Sequence, residues 1–170
     1  MFTIKFYKAG IVLYKCRPII SDDFPTICSF PLDNGEVFFI SPKLQPPLTV
    51  EKFKEVTKER LMPTVLVFGD EKVCGYCNFY NLEEGNKVWL GSVIVSPEFR
   101  GKGSAEFLIQ NMMTIAKKEL NVKELHLVCH NINTRGLMFY TKMGFKPYDV
   151  VKRANLQGQI IGGILMKVKL

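Results

Sequence analysis

The sequence lacks the long hydrophobic runs that membrane insertion requires. No stretch approaches the roughly 18 consecutive apolar residues of a membrane-spanning helix, and Lys5, Lys8 and Lys15 interrupt the apolar residues at the start of the chain. Because a secretory signal peptide needs an uninterrupted apolar segment, we expect neither a membrane span nor a signal peptide. The sequence therefore predicts a soluble, cytoplasmic protein with no membrane partner.

Cysteine is too sparse and too irregularly spaced to form a disulfide framework. The chain has five cysteines, an odd number, scattered between Cys16 and Cys129. Without a secretory signal, such residues are expected to be reduced thiols. Cys74 and Cys77 have the C-x-x-C spacing of a redox or zinc site, but they lie in a strand-like segment, where residues three apart point to opposite faces. We therefore predict no disulfide and no metal site.

Acidic residues are scarce in the second half of the chain. Residues 1–99 carry 11 basic and 12 acidic side chains, whereas residues 100–170 carry 12 basic and 4 acidic ones. Nucleic acid, an acidic membrane surface or a phosphate-bearing ligand can each bind such a positive field, and a solvated basic surface also explains it. The chain shows no aromatic RNA-binding strand and no DNA-recognition helix signature, so we predict no nucleic-acid partner.

The composition is sufficient for one hydrophobic core. The 170 residues are 47% hydrophobic, and the sequence contains no repeat, low-complexity tract or linker. Turn residues separate three strand-like segments at 64–68, 72–80 and 87–95. From Gly103 to Leu120 the apolar residues recur at helical spacing. Strands and helices on one core predict a single α+β domain.

The other segments extend this pattern. Residues 2–8 and 11–17 are rich in β-branched and aromatic residues and predict two strands or one bent strand. The proline-rich segment 31–47 predicts a long loop, whereas Thr49 is placed to cap a helix that runs to about Arg60. Toward the C-terminus the sequence predicts a strand at 124–129, a short helix at 134–143, and strands at 146–153 and 159–169.

The loop before the long helix has the composition of an anion-binding site. Its sequence is Arg100-Gly-Lys-Gly-Ser-Ala105. It is not a Walker A loop, because no glycine stands at the required spacing before Lys102, nor a dinucleotide fingerprint, because Glu106 replaces the last glycine or alanine. Backbone N–H groups and the positive end of a helix dipole at such a turn bind phosphate groups. We therefore predict a pyrophosphate site, to which Arg100 and Lys102 add positive charge.

Two motifs of this sequence resemble those of the GNAT acetyltransferase superfamily. Residues 100–105 match its R/Q-x-x-G-x-G/A loop. The segment Asn133-Thr-Arg-Gly-Leu-Met-Phe-Tyr140-Thr-Lys-Met-Gly-Phe145 is similar to its N-x-x-A-x-x-x-Y-x-K-x-G-F signature, with Gly136 in place of alanine. The order and spacing of the two motifs make the resemblance specific.

The resemblance implies a fold. With the strands that flank the motifs, it extends over about residues 60–168. It implies a mixed, mostly antiparallel, twisted sheet of about seven strands flanked by helices on both faces. Residues 1–170 are then expected to form a single GNAT-like domain, with its cofactor-binding core at about 88–145.

The resemblance also implies an acetyl-CoA site. The cofactor is expected in a cleft where strands 88–95 and 124–129 separate. Asn133 matches an asparagine that contacts the cofactor arm, and Tyr140 matches a tyrosine beside the thioester sulfur, where it donates a proton to the leaving thiolate. The pantetheine is expected along the backbone of Val93, Ile94 and Val95. The pyrophosphate is expected on backbone N–H groups of Arg100, Gly101, Lys102, Gly103, Ser104 and Ala105.

The function that the resemblance implies is transfer of an acetyl group from acetyl-CoA to a primary amine, by direct attack in a ternary complex. The glutamate that some members use as general base is missing, because its two positions hold Trp89 and Val128. His130, Glu83 and Glu84 are further candidates, but a surface role is favoured for each, and the base is left unassigned. The alternative function is a catalytically silent acyl-CoA-binding or sensory module.

The acceptor is not specified by the sequence beyond an amine of unknown size. Phe38 and Phe39 are candidates either for lining its pocket or for anchoring the loop that carries them. A monomer and a homodimer both remain open. Because residues 1–99 carry a net charge of −1, a protonated amine is expected to approach from that half. The acidic side chains expected to attract it are Asp33, Glu36, Glu83 and Glu84.

Overall fold

The computed structural model describes residues 14–170 of the chain. This part contains seven strands and five α-helices. The strand expected at residues 2–8 lies outside this part. In chain order the elements are β1 (Tyr14–Pro18), α1 (Asp23–Cys28), α2 (Asn34–Ile40), α3 (Val50–Thr57), β2 (Leu61–Phe68), β3 (Lys72–Glu83), β4 (Lys87–Val95), α4 (Ser104–Lys118), β5 (Glu124–His130), α5 (Thr134–Lys142), β6 (Lys146–Ala154) and β7 (Ile160–Lys169).

All seven strands form one sheet in the order β1-β2-β3-β4-β5-β7-β6. Strands β4 and β5 pair in parallel, and every other neighbouring pair is antiparallel. A parallel pair needs a long crossover connection, and α4 provides it. The predicted mixed, mostly antiparallel sheet of about seven strands is confirmed.

Helices cover both faces of the sheet. On β2, Leu66 belongs to one core cluster while Val65 and Val67 belong to the other, because successive residues of a strand point to opposite faces. The cluster around Val65 contains buried apolar side chains of α1, α2 and α3, and the cluster around Leu66 contains buried apolar side chains of α4. This arrangement confirms the expectation of helices on both faces.

Helix α4 forms where the apolar period predicts it. Leu108, Ile109, Met112 and Ala116 are buried along one side, as the i, i+3, i+4 spacing requires. The helix begins after Gly103, whose φ of +80° lies in the left-handed region that favours glycine. Within residues 14–170, neither this helix nor any other has the length and hydropathy of a membrane span.

Helix α2 was not expected, because segment 31–47 has the proline and Asn-Gly content of a loop. The Asp33 carboxylate accepts a hydrogen bond from the Glu36 N–H at 2.8 Å, and the Glu36 carboxylate accepts one from the Leu32 N–H at 2.9 Å. This reciprocal pattern resembles a capping box, a signal that was present in the sequence. The helix buries Val37 and Phe38 against the sheet. The loop prediction is therefore wrong for these residues.

The N-terminus of α3 was predicted correctly. Thr49 is its N-cap, and the Thr49 hydroxyl accepts a hydrogen bond from the Lys52 N–H at 3.3 Å. The helix ends at Thr57 rather than near Arg60. Arg60 instead lies in the connection to β2, and its position matters for the site described below.

Candidate active site

Strands β4 and β5 separate partway along their length. Their parallel pairing ends at Trp89 and His126. Beyond this point β5 continues beside β7 as far as His130, and β4 continues beside β3 as far as Val95. Within the described structure, the β5 side of β4 therefore has no strand partner beyond Trp89. The expected separation of these two strands is confirmed.

A β-bulge distorts β4 where the strands separate. Asn78 of β3 pairs with Gly91, while Tyr76 pairs with Ile94, so β4 contains one extra residue between the two pairs. Ser92 lies in this bulge with a φ of +52°. Bulges bend a strand and increase its twist, which turns β4 away from β5.

A cavity of about 170 Å³ lies at the separation. Its walls come from β4, β5, the N-cap and interior of α5, the end of α2 and the chain that follows it, and single residues of the α3–β2 connection, β3 and β6. The lining residues are Phe39, Ile40, Ser41, Pro42, Arg60, Tyr80, Leu90, Gly91, Ser92, Val93, Leu127, Val128, Cys129, His130, Asn133, Tyr140 and Arg153.

The loop before α4 has the geometry of a phosphate site. Gly101 and Gly103 have φ values of +73° and +80°, which few residues other than glycine adopt. The backbone N–H groups from Gly101 to Ala105 form no hydrogen bond with another described residue. No described atom lies within 4 Å of the position that a Cβ would take at either glycine. Open N–H groups at a helix N-terminus attract anions.

The side chain of Arg100 is held away from this loop. Its Nη1 and Nη2 donate to the Glu36 carboxylate at 2.6 and 2.9 Å, and its Nε donates to the Val95 carbonyl at 3.0 Å. The Arg100 N–H donates to Pro97 O at 3.3 Å. This ion pair corrects the expectation that the Arg100 side chain adds free positive charge. Lys102 is exposed and forms no ion pair with a described residue.

Asn133 lines the cavity and also caps α5. Its Oδ1 accepts a hydrogen bond from the Gly136 N–H at 2.9 Å. A Cβ at position 136 would lie 2.7 Å from Asn133 Nδ2. Glycine at this position, where the family signature has alanine, therefore gives the Asn133 side chain the space to fold back onto the helix.

Tyr140 lies on α5 with its ring against two phenylalanines. The ring centroids of Phe139 and Phe145 are 5.3 and 5.7 Å away, both in edge-to-face arrangements. Burial raises the pKa of Tyr140 well above its ordinary value of 10, and the nearby Cys129 and Cys77 thiols add to the shift. The phenol is therefore protonated at neutral pH and can donate a proton into the cavity that it lines.

His130 is the residue whose environment the sequence misjudged. It is only 5% exposed, and its ring stacks on Phe38 at a centroid distance of 4.6 Å. Its Nε2 is buried without a hydrogen-bond partner among residues 14–170. Burial, with the nearby charge of Arg153, lowers its pKa from 6.5. The favoured surface role is therefore wrong, because a buried, neutral imidazole lines the cavity.

The acidic residues expected to attract a cationic amine do not reach the cavity. Asp33 caps α2, and Glu36 pairs with Arg100. Glu83, the last residue of β3, and Glu84, in the turn that follows, are both exposed. Glu83 pairs with Lys87 at 3.1 Å. None of the four lines the described cavity. The charge-steering expectation is corrected, and neither turn glutamate is placed to act as the base.

Cys74 and Cys77 belong to the same core cluster, although they were expected to point to opposite faces. Val73 and Gly75 pair with consecutive residues of β2, so Cys74 is an extra residue that shifts the alternation by one. Burial raises the pKa of Cys74 to about 12, and Cys77 is shifted in the same direction. In the described ranges, no three His, Cys, Asp or Glu residues are grouped to hold a metal ion.

Several solved structures of acetyltransferases are similar to this chain over most of its length. The spermidine N-acetyltransferase of Vibrio cholerae, in complex with CoA and spermine, has a TM-score of 0.75 and 16% identity, over 92% of this chain and 95% of that one. A GNAT-family acetyltransferase from Bacillus anthracis has a TM-score of 0.76 and 16% identity, over 99% of this chain and 98% of that one. A GCN5-related N-acetyltransferase from Kribbella flavida has a TM-score of 0.72 and 23% identity, over 92% of this chain and 98% of that one. These similarities establish the fold.

A match at the level of sequence identifies the family. The sequence model of the Acetyltransferase (GNAT) family matches residues 24–145, which is most of the chain. The match includes the loop at 100–105 and the signature that ends at Phe145. The protein belongs to the GNAT acetyltransferase family.

Proposed function

We propose that the protein is an N-acetyltransferase that moves an acetyl group from acetyl-CoA to a primary amine by direct attack in a ternary complex. The observation that carries this proposal is the cavity at the strand separation, which both Tyr140 and His130 line. The pKa of Tyr140 is raised and that of His130 is lowered, so the cavity wall carries both a protonated donor and a neutral acceptor. Groups whose environments push their pKa values apart are typical of acid–base catalysis.

Acetyl-CoA is proposed to bind from the glycine loop to the cavity. The open N–H groups from Gly101 to Ala105 suit its pyrophosphate, and Lys102 supplies positive charge beside them. The backbone from Val93 to Val95, which lacks a strand partner on its β5 side, suits the amide groups of the pantetheine arm. Asn133 and Tyr140 would then flank the arm near the thioester. The Vibrio cholerae structure of the same fold contains CoA.

In the proposed reaction, His130 Nε2 accepts one proton from the acceptor ammonium. The amine nitrogen attacks the acetyl carbon, so a C–N bond forms and the C–S bond breaks. A backbone N–H of the bulged segment around Ser92 polarises the carbonyl. The Tyr140 hydroxyl donates its proton to the departing sulfur. The second amine proton, released as the amide forms, restores the hydroxyl through solvent.

Transfer of labelled acetyl groups tests the proposal directly. The purified protein is incubated with labelled acetyl-CoA and a panel of primary amines, and the amines are then analysed for label. Label on an amine supports the proposal. Stabilisation by CoA without transfer to any amine would indicate the silent acyl-CoA-binding module instead, and a melting curve unchanged by millimolar CoA would contradict both functions.

A further inference from the structure

Two arginines supply the permanent charge on the cavity wall. Among the described residues that line it, Arg60 and Arg153 are the strongly basic ones, and the lining includes no aspartate or glutamate. They come from distant parts of the sequence, the α3–β2 connection and the edge strand β6. The fold therefore brings two positive charges to a site that the sequence predicted to attract a cation.

Neither guanidinium group is neutralised by a carboxylate. Arg60 lies over the Tyr80 ring at 4.5 Å, and Arg153 Nη1 donates to the carbonyl of its neighbour Lys152 at 3.3 Å. Neither forms an ion pair with any described residue, in contrast to Arg17 and Arg100. Residues 1–13 contain no aspartate or glutamate. Among residues 14–170, both groups thus keep N–H donors that have no acceptor.

Arg153 reaches the cavity because β7 has a glycine in its path. Strand β7 lies between β6 and β5 in the sheet. A Cβ at Gly163 would lie 3.1 Å from Arg153 Cγ and 3.0 Å from Val128 Cγ1. The stem of Arg153 therefore crosses β7 over Gly163 toward Val128, a residue of the cavity wall.

The charges of the two arginines both reach one side chain of the cavity wall, Tyr80. The positive charges of Arg60 and Arg153 both lower the pKa of the Tyr80 phenol, against the larger effect of burial, which raises it. The charge of Arg153 also acts on His130. A ligand group near Tyr80 is therefore within the field of both guanidinium groups, in the cavity that the proposed base also lines.

We propose that the acceptor is a small amino acid-like molecule, and that Arg60 and Arg153 bind its carboxylate while its amine faces the thioester. This inference rests on the proposed acetyl transfer. Guanidinium groups donate two parallel hydrogen bonds to a carboxylate and remain charged at any relevant pH. The pocket is smaller than the roughly 300–1,000 Å³ typical of drug-sized ligands, which suits a small acceptor.

A bound carboxylate would also assist the base. Burial is the larger cause of the lowered pKa of His130, and the Arg153 charge is the smaller one. A carboxylate on Arg153 offsets that charge and makes His130 a better proton acceptor when the amine arrives. An acceptor without the carboxylate gives no such assistance.

Matched acceptors test the inference. Leucine, leucinamide and 3-methylbutylamine share one side chain but differ in the carboxylate, and phenylalanine, its amide and phenethylamine form a second series. We expect kcat/KM to be about 10- to 150-fold higher for the acid than for its amide in at least one series, the range for a hydrogen bond to a charged group. At neutral pH the less basic amine of the amide has the larger unprotonated fraction, so the supply of free amine favours the amide and cannot explain a preference for the acid.

Variants connect the preference to the two arginines. Arg60→Gln and Arg153→Gln should each raise KM for the acid and reduce its advantage about tenfold or more, while stabilisation by CoA stays intact. Lys152→Gln removes one charge from the same strand outside the cavity and should leave the preference unchanged. An unchanged preference in both arginine variants would overturn the inference.

The outcomes distinguish this inference from the proposed function. Equal or faster transfer to the amides and decarboxylated amines overturns the inference and leaves N-acetyl transfer intact. Transfer to no acceptor, with CoA binding retained, overturns the proposed function. In that case, calorimetric titration of N-acetyl-leucine and its amide into the CoA-saturated protein still tests the arginines, because the inference requires tighter binding of the acid in the wild type and not in the variants.

Discussion

The Arg100 guanidinium and the Glu36 carboxylate form a bidentate ion pair, with N–O distances of 2.6 and 2.9 Å. The two residues are 64 positions apart in the sequence. The pair fastens α2 to the loop that opens α4. Because α2 carries Phe38, which stacks on His130, the same contact fixes one wall of the cavity.

Glu36→Gln is expected to lower the free energy of unfolding at pH 7 by about 1.5–3 kcal/mol, the range for a hydrogen bond to a charged group. Burial opposes ionisation of Glu36, but hydrogen bonds from Arg100 and Leu32 hold its pKa below 4.5. Its stabilising effect is therefore complete above pH 4.5 and is lost as the pH falls through the lowered pKa. Urea unfolding at pH 7 and near pH 3 measures both effects.

Glu55→Gln is the control for this prediction. Glu55 is exposed and pairs with Lys58 one turn along the chain, so its loss should cost less than about 1 kcal/mol. A stability difference between wild type and Glu36→Gln that stays constant down to pH 3 would contradict the assigned role of the ion pair.

Gly103→Val is expected to abolish stabilisation by CoA. In the wild type, CoA at a hundredfold excess over its dissociation constant should add about 2.7 kcal/mol, measured as a thermal shift. Gly69, in the β2–β3 turn, also has a positive φ and open space around it. Gly69→Val should therefore cause similar backbone strain, about 1–2 kcal/mol, but keep the full CoA shift. Loss of the shift in both variants would contradict a specific phosphate site at Gly103.

Tyr140→Phe should lower kcat by about 10² to 10⁴, the usual range for one general acid. The ring and its contacts with Phe139 and Phe145 remain, so the thermal shift with CoA should survive. The lost interaction exists mainly in the transition state, which predicts little change in acetyl-CoA affinity. Tyr148→Phe, outside the cavity, is the control for removing a phenol hydroxyl. Unimpaired turnover in Tyr140→Phe would exclude this residue from proton transfer.

His130→Gln is expected to lower kcat/KM by about 10² to 10⁴ at neutral pH. In the wild type, kcat/KM should decrease as the pH falls through the lowered pKa of His130, below its ordinary 6.5, because the protonated ring cannot accept a proton. The variant should lack this decrease of kcat/KM on the acidic side of the pH profile, the acidic limb. His126→Gln serves as the control, since His126 is bonded to Glu124 and Tyr148 outside the cavity. An acidic limb that persists in His130→Gln would assign the base elsewhere.

Gly136→Ala should displace the Asn133 side chain from the N-cap of α5. Loss of a cap costs about 1 kcal/mol, but alanine gains about 1 kcal/mol over glycine inside a helix. The net change in the free energy of unfolding should therefore stay below about 1 kcal/mol. A crystal structure of the variant should show a new Asn133 rotamer, and an unmoved side chain would refute the steric argument.

Local patterns in the sequence were sufficient for most elements and for the prediction of one half of the candidate site. The helical period from Gly103 predicted α4, and turn residues between apolar segments predicted β2, β3 and β4. The glycine loop was predicted from residue types alone, because only glycine readily adopts the backbone conformation that the turn requires. Tyr140 was found through a motif of fixed spacing within α5. In each case the residues that determine the feature are close together in sequence.

The tertiary structure alone decided the electrostatics of the proposed acceptor side. His130 ends a strand like many surface residues, but it is buried where Phe38 of α2 stacks on its ring. Arg100 is paired because Glu36, far away in sequence, lies beside it. Arg60 and Arg153 share one cavity because β4 and β5 separate and Gly163 leaves room across β7. These properties depend on contacts between residues that are far apart in the sequence. The burial of a side chain, and whether its charge is paired, are set by the residues that it contacts in the fold and not by its neighbours along the chain.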